Sequence, residues 1–147
     1  MSPNLPSPWG QFLTELDALL DEPIQLHCIG GFALVAGYGL PRGTNDLGYR
    51  TLFPYRINDL QRLAGPGSAL ARRHKVHVQH TGVESMPENY EERLTEPYPG
   101  RFKNIRLFVP DAYDLVLSKL SRNIERDRQD VGFLAKTMHL AHRASTI

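Results

Sequence analysis

At 147 residues, with 41% hydrophobic and 22% charged, the chain has the size and balance of one folded domain, which excludes a disordered or fibrous segment. Its 17 basic and 16 acidic residues leave a formal charge of +1, which excludes a strong global attraction to nucleic acid or to an anionic membrane and makes any basic surface local. A single cysteine, Cys28, excludes an internal disulfide, and no apolar run approaches the about 20 residues that span a bilayer.

The opening "MSPNLPSPWG" has neither the basic nor the apolar region of a signal peptide, so a soluble cytoplasmic protein with no membrane partner is expected. In "SPWGQFLTELDALLD", Ser7 is placed as an N-cap and Pro8 at the first helical position. Trp9, Phe12, Leu13, Leu16, Leu19 and Leu20 then recur at helical spacing and predict an amphipathic helix. "IQLHCIGG" reads as a short strand ending at two glycines, with Cys28 as a small buried residue. "FALVAGYG" suits a buried helix closed by Gly39, and Pro41 prevents its continuation.

"TNDLGYRTL" reads as a second strand, "RINDLQRLA" as a helix broken by "GPG", and "SALARRH" as a further short helix. "KVHVQHTG" alternates, which points Val76 and Val78 to the core and His77 and Gln79 the other way. "MPENYEERL" offers a turn and a short helix, and "NIRLFVP" a strand halted by Pro110. From Asp111 onward the chain reads as helical, with Leu115, Val116, Leu120 and Ile124 towards a core, and a second segment "RQDVGFLAKTMHLAHR" after Asp127. Strands separated by helices, no internal repeat and no linker predict one α+β domain over residues 1–147, with a small mixed sheet and a C-terminal helical segment.

The chemistry concentrates around Asp46. Glycines directly after a strand let the backbone approach an anion, and a helix N-terminus presents unpaired N–H groups to it. Gly30 and Gly31 stand there, and Arg42, Thr44 and Asn45 add a cation and two small polar side chains just before Asp46. Gly-Gly also makes a plain tight turn, and that reading stays open.

The order of these features resembles the nucleotidyltransferase superfamily, whose fold is that of the DNA polymerase beta catalytic core. "GGFALVAGYGLPRGTNDL" together with "DLVLSKLSRNIERDRQDV" is similar to a bacterial nucleotidyltransferase-like family of largely uncharacterised function, itself similar in layout to abortive-infection nucleotidyltransferase toxins. The resemblance spans roughly Ile24 to Leu140. It implies a polymerase beta-like core with flanking helices. The glycines and the next helix would hold an NTP triphosphate, with Arg42 and Thr44 alongside. An Asp-x-Asp pair on the following strand would bind Mg²⁺, because residues i and i+2 of a strand share a face. Here Asp46 fits the first carboxylate and Gly48 occupies the place of the second. The strand that would carry a third offers His77 and Gln79 and no acid, while Glu84 lies beyond it. Gly48 has a structural reading too, since a glycine in a strand can mark a bulge or a close approach.

The same resemblance places Lys119, Asp127 and Asp130 in the active cleft, the lysine towards nucleotide phosphates and the acids towards an acceptor or metal. Lys119, Arg122 and Arg126 would make one helical face cationic. The acids alone read equally as an N-cap and a first-turn acid of a new helix. His74, His77 and His80 invite a zinc hypothesis, but on one strand His77 would face away from the other two. His139 and His142 read as solvated.

Two functions are therefore expected as alternatives. One is an enzyme moving a nucleoside monophosphate from an NTP to an RNA or protein acceptor. The other is a catalytically impaired member that binds nucleotide or an operon-encoded protein partner, as in a toxin–antitoxin or phage-defence system.

Overall fold

The computed structural model describes residues 5–40, 43–51, 53–81, 86–120, 132–133 and 135–136. In chain order these form α1 (Trp9–Leu19), β1 (Ile24–Ile29), α2 (Gly31–Tyr38), β2 (Asp46–Arg50), a 3₁₀ turn (Pro54–Arg56), α3 (Ile57–Ala64) and α4 (Ala69–His74). β3 (His77–His80), a second 3₁₀ turn (Tyr90–Arg93), β4 (Ile105–Phe108) and α5 (Ala112–Leu120) follow. Gly132, Phe133, Ala135 and Lys136 are also helical. None of the described helices is long and apolar enough to cross a membrane.

The four strands lie in the order β3-β2-β1-β4. The central pair is antiparallel, while β4 runs parallel to β1 and β3 parallel to β2, so the predicted mixed sheet is present. Alternation assigns its two faces. Ile24, Leu26, Cys28, Leu47, Tyr49, Val78, Ile105 and Leu107 are all buried and form the floor of the core. Trp9, Phe12, Leu13 and Leu16 of α1, Phe32 and Leu34 of α2, Leu60 of α3 and Leu70 of α4 join them in one cluster. Each such side chain removed from water contributes roughly 1.5–3 kcal/mol. Val76 and Val78 face this core as the alternation predicts.

The start of α1 differs from expectation. Pro8 is itself the N-cap, after a cis Ser7–Pro8 bond, and no side chain caps the helix. The Pro6 carbonyl takes the Trp9 N–H instead, so Ser7 is not needed. Leu19 is exposed, because the helix ends there and Leu20 turns back to the core. At the other end of the sheet, Asp17 ties α1 to β4: its carboxylate accepts the backbone N–H groups of Lys103, Asn104 and Ile105 at 2.9, 2.7 and 2.9 Å.

Two further ties hold the helices to the sheet. The Tyr49 hydroxyl donates to Gln61 Oε1 of α3 at 3.0 Å, and the same oxygen accepts the His80 N–H. Gly37 lets α2 pack on the chain after β4, since a β-carbon there would sit 2.8 Å from Val109 Cγ2. His74 is the last residue of α4, as the helical reading of "SALARRH" predicts, and its imidazole is engaged by Glu15 of α1. Of the expected core residues on α5, Leu115 is buried and Val116 partly so, whereas the side chains of Leu120 and Ile124 lie outside the description.

Candidate functional site

β1 ends at Ile29, and Gly30 follows with φ 75° and ψ −153°, a conformation that is essentially confined to glycine. That turn starts α2 at Gly31 with no side-chain cap, so the first-turn N–H groups remain available to an anion, which the helix dipole also favours. Gly39 closes the same helix in the left-handed conformation, as expected.

The antiparallel register pairs Ile29 with Gly48. The ladder ends at that pair, Asp46 opens β2 two residues before Gly48, and α2 packs against β2. The Asp46 side chain is exposed, and no hydrogen bond or ion pair engages it among the described residues. The Thr44 hydroxyl donates to the Asp46 carbonyl at 3.2 Å, which shapes the entry to the strand and keeps this hydroxyl on its own loop. Gly43, Thr44 and Asn45 also wall a cavity of about 410 Å³ whose other lining includes Trp9, Leu40 and Lys75.

Gly48 has a physical reason to be small. A β-carbon there would lie 3.0 Å from the Ile29 carbonyl oxygen and 3.5 Å from Thr81 Cγ2. No side chain therefore projects where a second carboxylate would stand. In the next strand His77 pairs with Asp46 and Gln79 with Gly48, so both point to the face that carries Asp46.

That face continues along β2 and β1. Arg50, four residues beyond Asp46, lies with its guanidinium 5.3 Å from the centre of the Tyr90 ring. His27, paired with Arg50, is 3% exposed and its Nδ1 is 3.0 Å from the Tyr90 hydroxyl. Burial pushes this imidazole below its ordinary range; Glu91 opposes the shift and the Arg50 charge adds to it. The turn bearing Tyr90 is itself clasped by Arg93, which donates to both oxygens of the buried Asp114 at 2.9 and 2.8 Å. The opposite face holds Cys28, fully buried, its thiol pushed up to about 12 by desolvation, so it is a core residue and not a nucleophile.

Of the sequence-derived candidates, Gly30 and Gly31 form the turn into α2, while Thr44 and Asp46 share the entry to β2, the strand that pairs with β1. Lys119 lies on α5, but its side chain is outside the description, as are Arg42, Glu84, Arg122, Arg126, Asp127 and Asp130 altogether. Arg50 was legible from the same-face rule that relates Asp46 to position 48, applied one step further. No local signal announces the His27–Tyr90 contact.

Among the described residues, no three His, Cys, Asp or Glu side chains converge as a metal site. A pair of Mg²⁺ ions needs several carboxylate oxygens at near-octahedral geometry. Asp46 alone, with a glycine where a second carboxylate would stand, does not fit that requirement.

No curated protein and no solved structure matches the chain. Its sequence does match a family model described as a nucleotidyltransferase of unknown function, across residues 11–139. That span includes the glycine turn, the Asp46 strand and all four strands of the sheet. The chain thus belongs to this nucleotidyltransferase family, DUF6036, and its α+β mixed sheet is the nucleotidyltransferase core.

Proposed function

We propose that the chain binds a nucleoside triphosphate at the Gly30–Gly31 turn and transfers its nucleoside monophosphate to an RNA or protein hydroxyl, slowly. What supports this reading is the pairing of Ile29, just before the glycine turn, with Gly48, two residues beyond Asp46, together with the packing of the uncapped α2 against β2. A triphosphate held by the helix N–H groups would lie next to the Asp46 carboxylate. In the transfer the acceptor oxygen would bond to the α-phosphorus, the bond to pyrophosphate would break, and the Asp46 carboxylate would take the acceptor proton. Gly48 accounts for the slow rate, since it removes one source of charge stabilisation at the reacting phosphate. A reducing cytoplasm rich in NTP suits this chemistry and a chain with one buried thiol.

The test is label transfer from each of the four α-³²P NTPs to cellular RNA and protein, with Mg²⁺ and Mn²⁺ in separate arms. The expected result is weak labelling by the chain and at least about a tenfold loss in Asp46→Ala, since one positioned acid–base group contributes about 10²-fold or more. Equal labelling by Asp46→Ala would overturn the reading. Nucleotide binding without transfer would leave the turn as a binding site and remove the enzyme.

A further inference from the structure

We infer that the cavity walled by Gly43, Thr44 and Asn45 is a second ligand site, suited to a small organic carboxylate with an apolar body. The inference stands apart from the nucleotide-site reading and holds or fails without it.

The place of the cavity separates it from the glycine turn. Val35 and Leu40 line it, so it meets α2 towards its C-terminal end, whereas Gly30 and Gly31 start that helix. Val76, 4% exposed, is another wall, and it faces the core. Alternation along β2 turns Asp46 to the opposite side from the fully buried Leu47. The cavity and the Asp46 carboxylate therefore belong to different faces of the sheet.

Its size and lining are those of a small-molecule site. A cavity of about 410 Å³ is within the range of such sites, which combine apolar walls with a few polar groups. Pro6, Pro8, Val35, Leu40 and Val76 supply the apolar walls.

Two polar groups select the ligand. Trp9 lines the cavity and is 2% exposed. Its ring meets Phe12 and Phe32 edge-on at 5.5 and 4.8 Å, yet no acceptor takes its indole N–H among the described residues. A buried donor left without a partner is costly, and a ligand oxygen that accepts from it removes that cost. Lys75 is the second group. It is exposed, its ammonium pairs with no carboxylate among the described residues, and no acidic residue is in the lining. His74, the other basic residue there, is already taken by Glu15. A carboxylate offers both an acceptor and a negative charge. A phosphate, with its higher charge, would have one cation amid apolar walls and would lose more hydration than it regains.

The chain holds one tryptophan, so its proton–nitrogen correlation spectrum has one indole peak, which reports this cavity directly. Sodium hexanoate, hexanol and hexylammonium chloride are titrated separately up to about 10 mM, enough to reveal a Kd near 1 mM. Hexanoate should move the indole proton downfield and saturate. Hexanol should bind about threefold more weakly, the scale of one exposed charge pair, and hexylammonium should leave the peak in place. Val35→Phe fills the cavity and should abolish the hexanoate shift, with circular dichroism checking that the variant is folded. Lys75→Gln, an exposed change that spares the core, should erase the preference for hexanoate over hexanol. An indole peak unmoved by hexanoate, an equal shift with hexylammonium, a hexanoate shift that survives in folded Val35→Phe, or a preference unchanged by Lys75→Gln would overturn the inference. ATP is titrated as the contrast. A peak that moves with ATP and not with hexanoate would give the cavity to the nucleotide and overturn the inference as well, whereas a hexanoate shift in a chain that transfers no label upholds this site and sinks the enzyme reading alone.

Discussion

The Ile29 carbonyl oxygen lies 3.0 Å from where a β-carbon on Gly48 would be. This contact joins the strand that ends in the glycine turn to the strand that begins at Asp46. A side chain at position 48 requires the Ile29 carbonyl to give by a few tenths of an ångström.

Gly48→Ala is therefore expected to lower stability by about 1–2 kcal/mol, the usual range for overpacking, and Gly48→Asp by at least as much. Urea denaturation followed by circular dichroism measures both. An unchanged midpoint for Gly48→Ala would mean that the Ile29 carbonyl yields without loss. The same measurement decides whether silence of Gly48→Asp in the labelling assay reflects chemistry or misfolding.

Two glycines should fail for different reasons. Gly30→Ala meets nothing within 4 Å, so its expected loss of about 1–3 kcal/mol is a backbone effect that no neighbouring substitution relieves. Gly37→Ala instead meets Val109 Cγ2 at 2.8 Å. Its loss should couple to Val109→Ala by about 1 kcal/mol in a double-mutant cycle. Additivity of that pair would contradict the packing described.

His27 gives stability a pH dependence. Its folded-state affinity for protons is lowered from the ordinary 6.5, first by burial, so the unfolded chain binds the proton more readily. The contribution is complete above about pH 6.5 and is lost as pH falls below it through the folded-state value. Urea midpoints between pH 7.5 and 5.5 should fall, and His27→Gln should flatten the slope. Glu15 and Glu96, whose carboxyls are held below their usual range by His74 and Arg106, act in the same direction but only near and below pH 4.5. A slope in His27→Gln equal to that of the parent chain would assign the effect elsewhere.

Asp17→Ala removes the acceptor of three backbone N–H groups at the start of β4. A loss of about 2 kcal/mol or more is expected, because charge-assisted hydrogen bonds are the stronger class and the donors are left without a protein partner. Hydrogen exchange should quicken at Lys103, Asn104 and Ile105 before the rest of the sheet.

Much of this architecture was legible one residue at a time. The alternation of "KVHVQH" gave the faces of β3, and the stripe from Trp9 to Leu16 gave the buried side of α1, because both depend only on neighbours along the chain. The order of Gly30, Gly31 and Asp46 along the chain carried the resemblance to a nucleotidyltransferase-like family, and the family match bears out that resemblance. What escaped depends on pairing between distant segments. Ser7 lost its capping role to the Pro6 carbonyl, and Leu19 left the core where the helix ended. The tightness at Gly48 exists only once Ile29 is beside it. Tyr90 reaches His27 across 63 positions, and no spacing rule spans that distance.

The paired register of β2 has one more consequence. Side chains on a strand alternate, so a slip of one residue would drive Asp46 and Arg50 inward and expel Leu47 and Tyr49. Leu47 and Tyr49, both fully buried, thus act as the gauge that aims the polar row outward. Two side chains sealed in the core decide which way Asp46 and Arg50 face.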